Sequence, residues 1–383
     1  MKIAVVCPDG VSVLLFLKGM IKELKKIPGA RITVLSSDGI YKKEIEELGV
    51  RSASIAMYRF MNPLKDIKYL LELHRIFKRE QFDAVINVST KPNIYGTIAA
   101  KLSNVDKVLC SVWGRGSVFV ERDSLRQILV KLTLLSSYWL AFRLSSKVWF
   151  TNKNDFDYFS SRHIVKSQKA FLTKNYVSTE EYFPYVLTEP ELSYFRKEFG
   201  LNDSDKVVIM VGRMIWAKGV KEFVEASKIL KDKLPMVKFI LVGPEEKGSW
   251  DAVPSSYLKE SERSGNFYWV GFRSDVKDLY ALADLAVLPS YYKEGGFPRA
   301  LTEPMAMGKP LIAANTVDCR SPVEEGKNGY LVPIKNSKAL AEAIEKLIKD
   351  DEKMKAFGQY SRLKAEKELE ETLIVRQVLN EFL

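Results

Sequence analysis

Two short stretches of this 383-residue chain hold residue types in spacings that can do chemistry. In the first, 207–226 (VVIMVGRMIWAKGVKEFVEA), a β-branched run ends at Gly212, Arg213 and Lys218 follow, and Gly219 precedes a helical pattern. Two cations on a glycine-flanked loop, beside the free backbone N–H groups of a helix start, make a site for a diphosphate. In the second, 288–314 (LPSYYKEGGFPRALTEPMAMGKPLIAA), an apolar run enters a glycine turn carrying Glu294, and Pro298 then opens a helix. Glu303 falls roughly a turn and a half into that helix, where its carboxylate can accept hydrogen bonds from ribose hydroxyls. Gly295 and Gly296, ahead of Phe297, let backbone amides approach a sugar or phosphate closely.

Elements of fixed type must position these loops. Short β-branched runs alternate with helical patterns from the start of the chain, at 3–6, 32–35, 84–88, 107–112 and 148–151, with helical spacing at 65–79 and 93–101. A second series runs through 207–211, 238–242, 267–270, 285–288 and 310–313. This is the βαβ signature of parallel sheets, so the expected class is α/β with two doubly wound domains. The segment 170–190 lacks a period and reads as the linker, and 337–383 is charged and helical. The expected division is 1–180, joined by a C-terminal helix at about 368–383, and 186–367. Ligands of such sheets bind outside the carboxyl ends of the strands, so two domains facing a cleft would each bring one substrate to it.

Composition narrows the classes. With 46% hydrophobic residues, 20 Phe and 17 Tyr the chain can bury sizeable cores, which excludes disorder. Cys7, Cys110 and Cys319 lie too far apart for a disulfide scaffold or a zinc motif and fit a reducing cytoplasm. The two histidines, His74 and His163, read as structural, and no metal site is expected. Residues 1–180 hold 29 Lys+Arg against 16 Asp+Glu, net +13, leaving −2 for the remainder. That excess attracts an anion: nucleic acid, a phosphorylated substrate or an acidic lipid surface. No RNA- or DNA-binding motif accompanies it, so nucleic acid is not an expected partner. The apolar stretch 132–142 is shorter than the ~20 residues of a membrane span. Around it, 124–147 combines Arg126, Lys131, Arg143 and Lys147 with Tyr138 and Trp139, which suits either a helix in the lipid headgroup region or a buried helix of the first domain.

Taken in order, GRMIWAKGVKEFVEA, KFILVGP, FRSDVKDLYALADLAVLPS, EGGFPRALTEPMAMGKP and VEEGKNGYLVP across 207–333 resemble the GT-B-fold retaining glycosyltransferases of family 4, which use nucleotide-diphosphate sugars. The resemblance implies that Arg213 and Lys218 hold the donor diphosphate and stabilise charge on the departing group. It implies a sugar contact at Glu294, a ribose contact at Glu303, and further donor contacts at Gly10, Gly212, Val276, Gly296, Phe297 and Pro298. The family's two glutamates have seven residues between them, whereas Glu294 and Glu303 have eight. The expectation is that the extra glycine loops out and Glu294 still points at the sugar. Asp275 and Val276 match a backbone contact to the base, with UDP preferred.

In the amino-terminal half, 86–102 (INVSTKPNIYGTIAAKL) and 111–119 (SVWGRGSVF) resemble a subgroup that builds lipid-linked bacterial glycans, nearest to polyprenyl-pyrophosphate-glycan N-acetylgalactosaminyltransferases. Lys91, Asn93 and Arg115 are the implied acceptor contacts. The expected protein is a hexosyl- or N-acetylhexosaminyltransferase without cofactor or metal, lying against the anionic inner face of the cell membrane and acting on a lipid-linked saccharide. A soluble acceptor, a sugar epimerase of the same fold, and a non-catalytic nucleic-acid-binding module are the alternatives.

Overall fold

The structure, a computed structural model, describes residues 1–37, 39–58, 61–114, 125–246, 248–292 and 294–383, with the side chains of 125–127 excepted. The chain forms two units, 1–174 with 371–383, and 175–370. The crossings at Lys174/Asn175 and Glu370/Glu371 fall a few residues from the expected boundaries at 180 and 368.

In the first unit, β1 (Lys2–Val6), β2 (Arg31–Ser36), β3 (Arg51–Ser54), β4 (Ala84–Val88), β5 (Lys107–Val112), β6 (Lys147–Phe150) and β7 (Ala170–Leu172) form a seven-stranded sheet. Its order is β3-β2-β1-β4-β5-β6-β7, and every pair is parallel. Parallel sheets are covered on both faces, which is why β4 reads as the near-continuous apolar run AVINV, broken by Asn87, and is buried throughout. The helices Pro63–Glu80, Thr97–Leu102 and Leu125–Leu144 lie between successive strands on one side of the order reversal, so right-handed crossovers place all three on one face. The C-terminal helix Glu371–Phe382 returns to this unit. Gly19 N–H donates to Glu371 Oε1 at 3.1 Å, and Arg376 and Lys147 pair with Glu23 and Glu381 at 2.9 Å each.

In the second unit, β8 (Lys206–Val211), β9 (Val237–Val242), β10 (Phe267–Trp269), β11 (Leu285–Leu288), β12 (Leu311–Ala314) and β13 (Gly329–Val332) pair in parallel in the order β10-β9-β8-β11-β12-β13. One core holds Phe223, Phe239 and Phe267 under the helices Val220–Leu230 and Ser337–Ile348; another holds Leu279, Tyr280, Leu301 and Met305. The order reverses between β8 and β11, so the crevice of this sheet opens where 212–219 and 289–298 leave their strands.

Three strands lie where none was expected: β3, β7 and β13, of four, three and four residues. All are edge strands or their neighbours, too short for a period to show. β7 falls inside the segment expected as linker, where pairing with β6 makes Ala170–Leu172 part of the sheet. The expected helix at 93–101 is a π-helical turn, Pro92–Gly96, running into the helix Thr97–Leu102.

One carboxylate ties the long helix Asp351–Glu368 to the loop before β13. Glu324 accepts from Lys364, from Tyr360 Oη at 2.7 Å and from Lys327 at 3.1 Å. These hydrogen bonds, that of Lys364 first, hold its carboxyl down at about 2. A depressed folded value contributes stability above the unfolded carboxylate range, and that stability disappears as pH falls. Glu324→Gln is therefore expected to melt a few degrees below wild type at pH 7, with the two melting curves converging between about pH 4.5 and 2. A constant offset across that window would show that Glu324 does not carry the acid sensitivity.

Candidate functional site

The site builds outward from the switch point of the second sheet. After β8 the chain passes Gly212, Arg213, buried Met214 and Ile215, then makes one 3-10 turn, Trp216–Lys218. Gly219 closes that turn with φ +83° and starts the helix Val220–Leu230. After β11 it passes Pro289, Ser290, Tyr291 and Tyr292 before Glu294.

The two loops are stitched together at the backbone of one residue, Ala217. The Ala217 carbonyl accepts from the N–H groups of Tyr291 and Tyr292, each at 2.9 Å, and its N–H donates to Asp251 Oδ2 at 2.9 Å. The Asp251 carbonyl also takes the Trp216 N–H at 2.9 Å. Lys218 is thereby aimed at Glu294. Their Nζ–Oε2 distance is 2.5 Å, with side chains 12% and 6% exposed, and Ser290 Oγ donates to Glu294 Oε1 at 2.5 Å. The ring of Tyr292 gathers the cations, with the Arg213 guanidinium 5.5 Å and the Lys218 ammonium 5.6 Å from its centroid. Arg213 is more open, at 44% side-chain exposure, and meets Glu246 at 3.5 Å.

The eight-residue spacing has a structural counterpart. Gly295, Gly296 and Phe297 all have positive φ, 78°, 75° and 45°, so the extra residue is taken up in a left-handed turn. Left-handed φ at a phenylalanine is strained, and strain of this kind persists where neighbours over-determine the backbone. Here the Phe297 carbonyl accepts from Asn175 Nδ2 at 3.3 Å, and Gly295 N–H donates to Asp318 Oδ2 at 3.2 Å. Pro298 then caps the helix Arg299–Ala306. Glu303 is buried on it and pairs through Oε1 with Arg299 Nε, one turn back, at 2.6 Å. Burial works against the Arg299 charge, but Glu303 outweighs it and holds the guanidinium above its ordinary range. Val276 opens the helix Val276–Leu282 behind Asp275, whose carboxyl Arg273 holds below the usual range.

The structure thus brings together Gly212, Arg213, Lys218 and Glu294, and sets Gly296, Phe297, Pro298 and Glu303 on the continuing turn and helix. Gly10 lies in the other unit, buried at the start of the helix Gly10–Phe16 behind its cap Asp9. Sequence spacing gave no sign of Ser290, Tyr292, Asp251, Arg299 or Glu246. Ser290, Tyr292 and Arg299 lie within 288–314, but Tyr292 meets the cations only in three dimensions, and Asp251 meets Ala217 across 34 residues.

Two of the expected acceptor residues are occupied. Asn93 is fully buried, with Nδ2 donating to the Ser111 carbonyl at 2.9 Å and Oδ1 accepting the Ser111 N–H at 3.0 Å. Fully buried with each end of its amide on the Ser111 backbone, it fixes the end of β5 and offers an acceptor no exposed atom. Lys91 donates to the Tyr58 carbonyl at 2.6 Å and pairs with Asp66 in the first turn of the helix Pro63–Glu80, both side chains largely buried. Arg115 lies outside the described residues.

Of the expected helix 124–147, the described part divides by face. Tyr138, Ala141 and Phe142 are buried, whereas Leu129, Leu132 and Trp139 are exposed, with Arg143 5.2 Å from the Trp139 ring. Among the described residues no helix is long and apolar enough to cross a membrane, and no cluster of three or more His, Cys, Asp or Glu could hold a metal ion.

Known proteins resemble both halves of the chain. Residues 193–364 match the family model described as glycosyl transferases group 1, and residues 5–151 the one described as glycosyl transferase 4-like. The chain is 28% identical, over 92% of its length and 90% of the relative's, to the N,N'-diacetylbacillosaminyl-diphospho-undecaprenol alpha-1,3-N-acetylgalactosaminyltransferase of Campylobacter jejuni. It is 25% identical, over 76% of its length and 73% of the relative's, to an Escherichia coli UDP-Gal:alpha-D-GlcNAc-diphosphoundecaprenol alpha-1,3-galactosyltransferase. Among solved structures, Anabaena HepE in complex with UDP and glucose matches with TM-score 0.78 at 22% identity over 99% of this chain and 98% of that one. A Rickettsia africae glycosyltransferase matches with TM-score 0.81 at 20% identity over 100% and 97%. With two Rossmann-like sheets, both family models and this site at the switch point of the second sheet, the chain is a glycosyltransferase of the GT-B fold, with a glycosyl transferase 4-like amino-terminal domain and a group 1 carboxy-terminal domain.

Proposed function

We propose that this enzyme transfers a hexose or N-acetylhexosamine, with retention of configuration, from a UDP-sugar to a polyprenyl-diphosphate-linked saccharide at the inner face of the cell membrane. The observation that carries the reading is the buried Lys218–Glu294 pair, with Arg213 beside it on the Tyr292 ring, at the switch point of the second sheet. A nucleotide diphosphate entering that crevice offers its phosphates to Lys218 and Arg213. Lys218 exchanges its carboxylate partner for phosphate oxygen, which releases Glu294 to accept from a sugar hydroxyl while Ser290 holds its other oxygen. As the bond between the anomeric carbon and the diphosphate breaks, negative charge grows on the leaving oxygen, and cations already in place stabilise it most effectively. Arg299 takes one oxygen of Glu303, and the second serves the ribose. The lipid-diphosphate acceptor is supported by what the Campylobacter and Escherichia relatives act on, and by the basic amino-terminal half.

The test is transfer from a panel of radiolabelled UDP-, GDP- and TDP-sugars to a synthetic polyprenyl-diphosphate saccharide, with a water-soluble saccharide in parallel. Transfer from a UDP-sugar to the lipid-linked acceptor, with the product's anomeric configuration unchanged, is the expected result. Inversion, or equal use of the soluble acceptor, would overturn the corresponding part. Because Arg213 and Lys218 supply the charge that a divalent ion would give, turnover is expected to survive excess EDTA within about twofold. A loss restored by Mg²⁺ or Mn²⁺ would count against that role.

A further inference from the structure

The helix Pro63–Glu80 is apolar on two opposite faces, and only one of them is used by the fold. Tyr69, Leu73 and Phe77 are 1%, 0% and 0% exposed and form the core against β1, β4 and β5. On the opposite side Leu64, Ile67 and Leu71 are 82%, 53% and 48% exposed. At about 100° per residue, Leu64, Ile67, Lys68, Leu71, Arg75 and Lys78 fall within roughly a third of the helix circumference. The outward stripe therefore runs from aliphatic side chains at its amino end, with Lys68 among them, to the cations Arg75 and Lys78 at its carboxyl end.

Its charges are unopposed. Among the described residues no carboxylate pairs with Lys68, Arg75 or Lys78, and the helix's own acidic groups point elsewhere. Asp66 is buried against Lys91, Glu80 is held by Arg51 and Arg79, and Glu72 stands half-buried on the flank. The stripe also has a neighbour of the same character. The helices Pro63–Glu80 and Leu125–Leu144 both rest on the segment 92–102 on one face of the first sheet, and the second exposes Leu129, Leu132 and Trp139. In Pro63–Glu80 the exposed aliphatic side chains Leu64, Ile67 and Leu71 lie in the amino-terminal half, and in Leu125–Leu144 so do Ile128, Leu129 and Leu132, with Leu140 beyond them. In a βαβ unit that half lies at the carboxyl edge of the strands, where the ligands of such sheets bind.

We infer that the outward stripe of the helix Pro63–Glu80 is a docking surface for a bilayer containing anionic lipid. Aliphatic side chains and cations sharing one helix face match the boundary between acyl chains and phosphate headgroups, and the net +13 of residues 1–180 supplies the same complementarity at longer range. This rests on the reading that the acceptor is lipid-linked, because it brings the acceptor edge of the first sheet to the surface that holds such an acceptor.

The test is co-sedimentation of the full-length protein with vesicles of phosphatidylcholine alone or with about a third phosphatidylglycerol. The wild type is expected to partition onto the anionic vesicles and to be released by salt. The combined change Lys68→Gln, Arg75→Gln, Lys78→Gln should weaken partitioning roughly a hundredfold, about fivefold per cation. Leu64→Asp with Leu71→Asp should weaken it at least tenfold on the same vesicles. All substituted side chains lie outside the core, so melting temperature and UDP binding in the absence of lipid should stay at wild-type values. Should the aspartate pair fail to fold, the glutamine triple decides alone. Unchanged partitioning in the glutamine triple, or equal wild-type binding to neutral vesicles at low salt, overturns the docking surface. So does a leucine-dependent dimer that leaves vesicle binding unaltered. UDP binding and slow UDP-sugar hydrolysis, measured without vesicles, report separately on the transferase reading.

Discussion

Lys218→Ala is expected to lower kcat/KM by a hundredfold to a thousandfold, about 3–4 kcal/mol of transition-state stabilisation, as for loss of one preorganised donor in a water-poor site. Burial sets the size of the effect. The Lys218 side chain is 12% exposed, so its charge is little screened, while Arg213 is 44% exposed, and Arg213→Ala is expected to cost nearer tenfold. Removal of the ammonium also leaves Glu294, 6% exposed, with Ser290 as its remaining hydrogen-bonding partner among the contacts shown. An uncompensated buried carboxylate is destabilising. Lys218→Met should therefore lower the melting temperature as well as the rate. Adding Glu294→Gln should restore the melting temperature and leave the rate low. Comparison with Glu294→Gln alone, which keeps the ammonium, separates the two roles of the lysine: a purely structural Lys218 would leave the double variant as active as Glu294→Gln. Full activity in Lys218→Ala would remove the diphosphate assignment altogether.

How much of this was legible in the sequence depends on how local each feature is. The two series of β-branched runs and the Gly-Arg…Lys-Gly loop follow from neighbours in the chain, and the two parallel sheets have them where the pattern puts them. The strands β3, β7 and β13 escaped because three or four residues cannot display a period, and their assignment rests on partners far away in sequence. The site divides in the same way. Arg213, Lys218 and Glu294 were visible as charges beside glycines, but their mutual geometry depends on the backbone of Ala217, gripped by Tyr291, Tyr292 and Asp251 from two other segments. Asn93 illustrates the opposite error. A polar residue in a loop after a strand looks available to a ligand, yet the same hydrogen-bonding capacity satisfies the Ser111 backbone at the buried end of β5. The helix Pro63–Glu80 showed its period plainly, but only burial reveals that one of its two apolar faces is left outside the core.

Gly219→Ala is expected to disrupt both the fold of the second unit and its site. Gly219 has φ +83°, and a Cβ there would lie 2.4 Å from the carbonyl oxygen of Pro289 and 2.7 Å from its carbon. The left-handed conformation alone costs an alanine roughly 1–2 kcal/mol. The clash adds to this because the obstacle is backbone at the end of β11, which cannot rotate away. Gly265 provides the internal control, with φ +79° and nothing within 4 Å of its virtual Cβ, so Gly265→Ala measures the backbone strain by itself. In a unit of this size about 1 kcal/mol moves the melting temperature by roughly 2–4 °C. Gly265→Ala should thus lose only a few degrees, and Gly219→Ala at least twice as much. The two variants should diverge further in activity. Relief of the Gly219 clash must push the turn bearing Lys218 away from the Pro289–Tyr292 segment, stretching the hydrogen bonds from Tyr291 and Tyr292 to the Ala217 carbonyl and parting Lys218 from Glu294. UDP binding by calorimetry should weaken at least tenfold in Gly219→Ala at a temperature where both variants remain folded, and should be unchanged in Gly265→Ala. Equal melting temperatures for the two alanine variants would show that the chain absorbs the Pro289 contact, and the close packing of these two loops would then not be what aims Lys218.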